Sequence, residues 1–152
     1  MPAWLLIAGL TSHPAVAAVQ IGGAYSYTYS ISAQTVTFSI AQISSTYTSY
    51  TTGTLRLDLW FTTSPYSGGS ISGYRPVTYV LNGGSGLGPG NSLSNISTAV
   101  SNAGHPPNGT YYATITVDEY DPTNCTASDK YCITTYVAFP TPCNSWGRIR
   151  RR

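Results

Sequence analysis

An antiparallel β-sandwich of about seven strands is the fold this sequence predicts, and three observations predict it. Apolar residues recur at every second position in several separate runs, the period of a half-buried strand. Glycine-, proline- and asparagine-rich breakers separate the runs. The 152 residues include 13 tyrosines and 40 serines and threonines, a composition that suits pleated surfaces. No ten-residue stretch has a helical period, and no internal repeat is evident.

The runs follow in order. From Ala24 to Ile31, Tyr25, Tyr27, Tyr29 and Ile31 face one way and Ala24, Ser26, Thr28 and Ser30 the other. Val36, Phe38 and Ile40 alternate with Thr35, Thr37 and Ser39. Leu55, Leu57, Leu59 and Phe61 alternate with Arg56, Asp58 and Trp60. Tyr74 to Leu81 is a weaker run whose Pro76 predicts an edge, because proline cannot donate to the ladder. Leu93, Ile96 and Val100 mark an irregular fifth run. Tyr111, Ala113, Ile115 and Val117 form the sixth, and Ile133, Thr135, Val137 and Phe139 the last. The glycine-rich stretch from Gly83 to Gly90 lacks the lysine of a phosphate-binding loop.

The ends lie outside this pattern. Trp4 to Leu10 is a short apolar run, and Ala15-Val16-Ala17 is a small-x-small site. Residues 1–17 therefore read as a secretory signal without the usual positive start, 18–142 as the sandwich and 143–152 as a basic tail. The rival reading of the first segment is a buried strand or helix. The apolar run is too short to span a bilayer, which takes about 20 residues, so no transmembrane span is expected. Export places the protein in the secreted fraction, the periplasm or at the cell surface.

Three cysteines remain. Cys125 and Cys132 bracket a polar, turn-like segment and are expected to bridge in an oxidising compartment. Zinc is the rival, but the mature chain keeps one histidine, His105, too few ligands for a closed site. Cys143 is left odd.

Charged residues make up 8% of the chain. Four of the seven basic ones fall in the last five positions. From Ala18 to Gly147, three basic residues stand against five acidic ones, a net of −2. No basic stripe exists for phosphates, so no nucleic-acid partner is expected.

Gly53-Thr54-Leu55-Arg56-Leu57-Asp58-Leu59-Trp60, Leu87-Gly88-Pro89-Gly90 and Pro106-Pro107-Asn108-Gly109-Thr110-Tyr111-Tyr112 resemble the strand and turn signals of bacterial cell-adhesion-related immunoglobulin-like domains. The resemblance covers roughly residues 35–139. It implies an immunoglobulin-like sandwich serving as an accessory domain on surface or secreted proteins, with no catalytic residue to carry over. Where that family often ends its last hairpin with acidic and asparagine residues, this chain has the Cys125–Cys132 segment.

Catalysis has few candidates. His105 lies in a Gly-His-Pro-Pro turn with no nucleophile elbow in the chain. Asp118 and Glu119 would point to opposite faces of one strand, unlike a paired acid and base. Asp118, Asp121 and Asp129, with Asn124, are the calcium candidates, although they lack the regular spacing of a calcium loop. No enzyme and no cofactor are expected. Trp60, outward between Arg56 and Asp58, is the leading contact residue; Tyr25, Tyr27 and Tyr29 are weaker contact candidates, whose favoured role is to face the core or cover an edge. Asn95, Asn108 and Asn124 start Asn-x-Ser/Thr sequons, to which no role is assigned.

The expected function is a structural or adhesive module with a protein or glycan surface partner. The alternative is a carbohydrate-binding protein that uses exposed Tyr and Trp. A smooth hydroxyl-rich surface with one apolar patch would favour the first, and a planar row of exposed aromatics the second.

Overall fold

The computed structural model describes residues 18–144. The signal-like segment 1–17 and the tail from residue 145 onward lie outside the described residues. The described chain forms β1 (Val19–Ser30), β2 (Thr35–Ser45), β3 (Leu55–Thr62), β4 (Tyr74–Val80), β5 (Ser92–Ser101), β6 (Thr110–Tyr120), β7 (Tyr131–Ala138) and the two-residue β8 (Cys143–Asn144). A 3-10 turn, Leu81–Gly84, follows β4.

The strands make two antiparallel sheets. One has the order β1-β2-β5, and the other β4-β3-β6-β7, with β8 paired to the start of β6. The chain thus crosses three times between sheets, after β2, β4 and β5, as in immunoglobulin-like sandwiches. Relative to the four-plus-three layout of constant-type domains, the fourth strand has moved beside the third. The sixth strand carries a further hallmark of that architecture: Tyr111 near its start sends its hydroxyl back to the Pro107 carbonyl at 2.8 Å, a tyrosine corner. The Pro-x-Gly-x-Tyr turn is the sequence trace of that corner. A Cβ on Gly109 would press on the Tyr111 ring at 3.2 Å, so glycine suits the turn.

The alternating apolar residues meet between the sheets. Val36, Phe38, Ile40 and Ile43 of β2 face Leu55, Leu57, Leu59 and Phe61 of β3 and Ala113, Ile115 and Val117 of β6. Removal of this apolar area from water is the main favourable term for such a domain. Pro76 sits in β4, an edge strand as expected.

The middle of the first sheet departs from period two. Ile40 and Ile43 are both buried, and Leu93 and Ile96 opposite them are also three apart. The register slips between Gly22 and Tyr25, with Gly23 at φ +71° and Asn95 at φ +54°. This bulge explains the irregular fifth run. A Cβ on Gly23 would lie 2.8 Å from that of Ala41, so the close approach and the backbone angle both select glycine.

The tyrosines of β1 belong to this core and its rim. Tyr27 is 5% exposed. Tyr29 packs on the core and its hydroxyl donates to the Gly104 carbonyl at 2.5 Å. Tyr25 and Tyr27 meet Phe139 edge-on, at 5.8 and 5.0 Å between ring centres, closing the side where β1 approaches β7. Tyr27 and Tyr29 thus take the core-facing role favoured for them rather than a contact role, because alternation points them at the facing sheet. Tyr25 keeps 42% of its surface exposed.

Cys125 and Cys132 are joined, with Cα atoms 5.7 Å apart. The bridge closes the β6–β7 loop, where Cys125 is buried among mostly exposed neighbours. Replacing both cysteines with serine is expected to cost about 2.5 kcal/mol from loop entropy, read as a lower urea midpoint with unchanged circular dichroism. Cys143, read from the sequence as the start of the basic tail, lies in a short strand. It pairs with Tyr111 through β8, and its thiol lies 3.3 Å from the Tyr111 carbonyl.

Candidate functional site

Two surfaces of the sandwich differ sharply in chemistry. β1, β2 and β5 contain no charged residue, and every charge between residues 18 and 144 lies on the other sheet or its loops.

The outer face of β1-β2-β5 is a grid of short polar side chains. Ser26, Ser39 and Ser97 form one row across the three strands, Thr28, Thr37 and Ala99 a second, and Ser30, Thr35 and Ser101 a third. Rows are spaced by two residues because alternate residues share a face. Gln42 adds a cross-strand bond to Ser92 at 3.2 Å. The face is neutral and rich in hydroxyls.

The outer face of β4-β3-β6-β7 is built differently. Register places Arg56 beside Asp118, Asp58 beside Thr116 and Trp60 beside Thr114. The Arg56 guanidinium reaches Asp58 at 3.1 Å, Asp118 at 3.2 Å and Asp129 at 2.8 Å. Arg75 on β4 meets the same Asp58 oxygen at 2.9 Å. The Tyr131 ring covers Arg56 at 4.1 Å, and Arg75 lies 5.2 Å from the Trp60 ring.

This outward face is not open to water. Asp58 is 0% exposed, Asp118 3% and Arg56 7%. The disulfide-closed loop 121–130 supplies Asp129, and loop 63–73 supplies Tyr66, which stacks on Tyr136 at 4.7 Å. Trp60 lies on this outer face with Arg56 and Asp58, as expected, and is partly exposed, while its Nε1 is buried without a hydrogen-bond partner.

Electrostatics follow from that burial. Asp118 is pushed up to about 6, by burial and then by the neighbouring Asp58 carboxylate, against the pull of Arg56. Burial disfavours the Arg56 charge, yet Asp58, Asp129 and Asp118 outweigh it and raise its pKa. Asp129 is held below the ordinary carboxylate range; slight burial opposes this, while Arg56 and the Tyr131 N–H stabilise the charge. Asp58 Oδ1, Asp118 Oδ1, Thr114 Oγ1 and Thr116 Oγ1 are buried and unpartnered.

The calcium candidates do not converge. Arg56 takes the place a cation would hold between Asp118 and Asp129. Asp121 accepts from the Thr123 and Asn124 amides of its own loop, which holds its pKa down. No cluster of three or more potential metal-ligating side chains occurs among the described residues. Asp118 and Glu119 do face opposite ways. Glu119 accepts from the Tyr47 hydroxyl at 3.2 Å and the Gly53 amide at 2.7 Å. Tyr47, partly buried and beside Glu119, is pushed up to about 12.

Sequence reasoning noted Arg56 and Asp58 only as neighbours of Trp60. Their role as the hub was signalled by opposite charges two apart on one strand of a chain nearly free of charge. It also missed the tyrosine pair Tyr47–Tyr50, with ring centres 4.5 Å apart and Tyr50 62% exposed.

No protein-family model matches the chain, and no curated protein or solved structure matches it. No helix among the described residues is long and apolar enough to cross a membrane.

Proposed function

We propose that this chain is an exported, non-catalytic immunoglobulin-like module with a structural or adhesive role at the bacterial surface or in the secreted fraction. One observation carries the reading: the uncharged grid of serine and threonine on the outer face of β1-β2-β5. Short hydroxyls on a rigid ladder lose little side-chain entropy on contact. Each both donates and accepts, so a neutral, hydroxyl-bearing polymer is a fitting partner. The resemblance of the turn motifs to adhesion-related domains supports the same reading, as does a disulfide suited to an oxidising compartment.

The Tyr47–Tyr50 pair favours a second reading, carbohydrate binding by aromatic contact, since tyrosine offers an apolar face and a polar tip. One pull-down separates the two. Purified protein is mixed with insoluble polysaccharide and with intact bacterial cells. Charging the grid with Thr37→Lys and Ser97→Lys is expected to reduce retention at least about tenfold while Tyr50→Ala leaves it unchanged, a loss of about 1.4 kcal/mol. Loss with Tyr50→Ala alone selects the aromatic reading. Retention unchanged in both variants, or none in the parent protein, overturns both.

A further inference from the structure

We propose that the charge cluster on the outer face of β4-β3-β6-β7 is a proton-operated latch, which holds the disulfide-closed loop 121–130 on the sheet while Asp118 retains a proton and loosens it when that proton leaves.

The cluster sets three carboxylates against two guanidiniums. With one proton on the carboxyl pair it is neutral, and without it the cluster carries −1. Two of the carboxylates are buried, and each has an oxygen with no hydrogen-bond partner. An uncompensated charge in such a place is stabilised by admitting water.

The sheet cannot yield to let water in, because its inner face is the core. The cover can. Loop 121–130 anchors one buried residue, Cys125, and the bridge to Cys132 makes it move as a unit. Beyond the bridge to Cys132 and the β6–β7 ladder at its ends, the ion pair of Asp129 ties the loop to the sheet through the Arg56 guanidinium, on which the Tyr131 ring of β7 also rests. Asp118 and Asp129 bind different nitrogens of that guanidinium, Nη2 and Nη1, so an ionised Asp118 loosens the Asp129 pair by adding like charge to the cluster rather than by displacing it. Other elements also face the pair: Arg75 from β4 binds Asp58, and Tyr66 from loop 63–73 feels the Asp118 charge while packed on Tyr136.

The sign follows from linkage. Asp118 in the closed state titrates near 6, above its ordinary 3.8. A lifted cover returns it toward the ordinary value. The open form therefore binds fewer protons between about pH 4 and 6, and opening grows across that window before levelling off at neutral pH. Two units of difference allow up to about 100-fold in the opening equilibrium. Incomplete relief of burial in the open form reduces this, and at least about tenfold is expected. Below the window Asp129 begins to protonate, so the latch is tightest at mildly acidic pH.

Hydrogen–deuterium exchange on the disulfide-intact chain tests this. Rates at pH 4.5 and 7 are corrected for intrinsic chemistry. Amides of residues 121–131 are expected to lose at least about tenfold protection at pH 7, while those of β2 stay unchanged. Asp118→Asn should keep the loop protected at both values, and Asp129→Asn should leave it unprotected at both. Equal corrected protection at both values in the parent chain overturns the latch, as does an undiminished pH dependence in Asp118→Asn. Should that variant fail to fold, carboxyl-carbon NMR of the parent chain decides: one aspartate titrating near 6 together with the loop supports the latch, and none doing so sinks it.

Discussion

Replacing Arg56 with methionine is expected to lower the unfolding free energy at pH 7 by about 3–5 kcal/mol, the range for removing one partner of a buried ionic network. Methionine keeps much of the apolar stem, so the loss reports the missing charge rather than a cavity. Asp58 and Asp118 would be left buried, with Arg75 reaching only Asp58. Asp129 would be released toward solvent, and the Tyr131 ring would lose the cation beneath it. The deficit should shrink at pH 4.5, where the stranded carboxyls protonate more readily. Neutralising them in Arg56→Met/Asp58→Asn/Asp118→Asn should recover part of the loss, because the penalty lies in unpaired charge and coupled sites do not add. Urea unfolding at both pH values measures all three quantities. A deficit below about 1 kcal/mol would mean that Arg56 behaves like a surface ion pair.

How much of this was legible in the sequence depends on the range of the cause. Period two in the second, third and sixth runs placed Phe38, Leu57 and Ile115 in the core, because alternation is a local property of the strand. The Cys125–Cys132 bridge was legible because the loop is short. The tyrosine corner was visible only as a motif around Tyr111, since its partner Pro107 is four residues away. The site was less legible. Arg56 and Asp58 announce a polar face, but Asp129 and Tyr66 arrive from loops whose path the sequence does not encode locally. The kink at Gly23 and Asn95 was hidden for a related reason: a bulge in one strand is matched by three-residue spacings in its two neighbours, and a single run shows only an irregularity.

Phe38→Ala is expected to cost about 3–5 kcal/mol, and Thr37→Ala beside it less than about 0.5 kcal/mol. Phe38 lies in the central strand of β1-β2-β5 with none of its surface exposed. Truncation removes the transfer free energy of the ring and leaves a cavity between two hydrogen-bonded sheets, which can close only partly. Thr37 points the other way and pairs with Thr28 and Ala99 in the hydroxyl grid. Its methyl and hydroxyl already face solvent, so little is lost on truncation. The contrast between adjacent residues tests the register itself, because a slip of one residue would exchange the two effects. It also bears on function. If the grid can be changed at small cost, the lysine substitutions of the pull-down report contact rather than unfolding. Thermal melts of both variants provide the measurement; a Thr37→Ala loss approaching that of Phe38→Ala would place the grid in the core and remove the basis for an adhesive face.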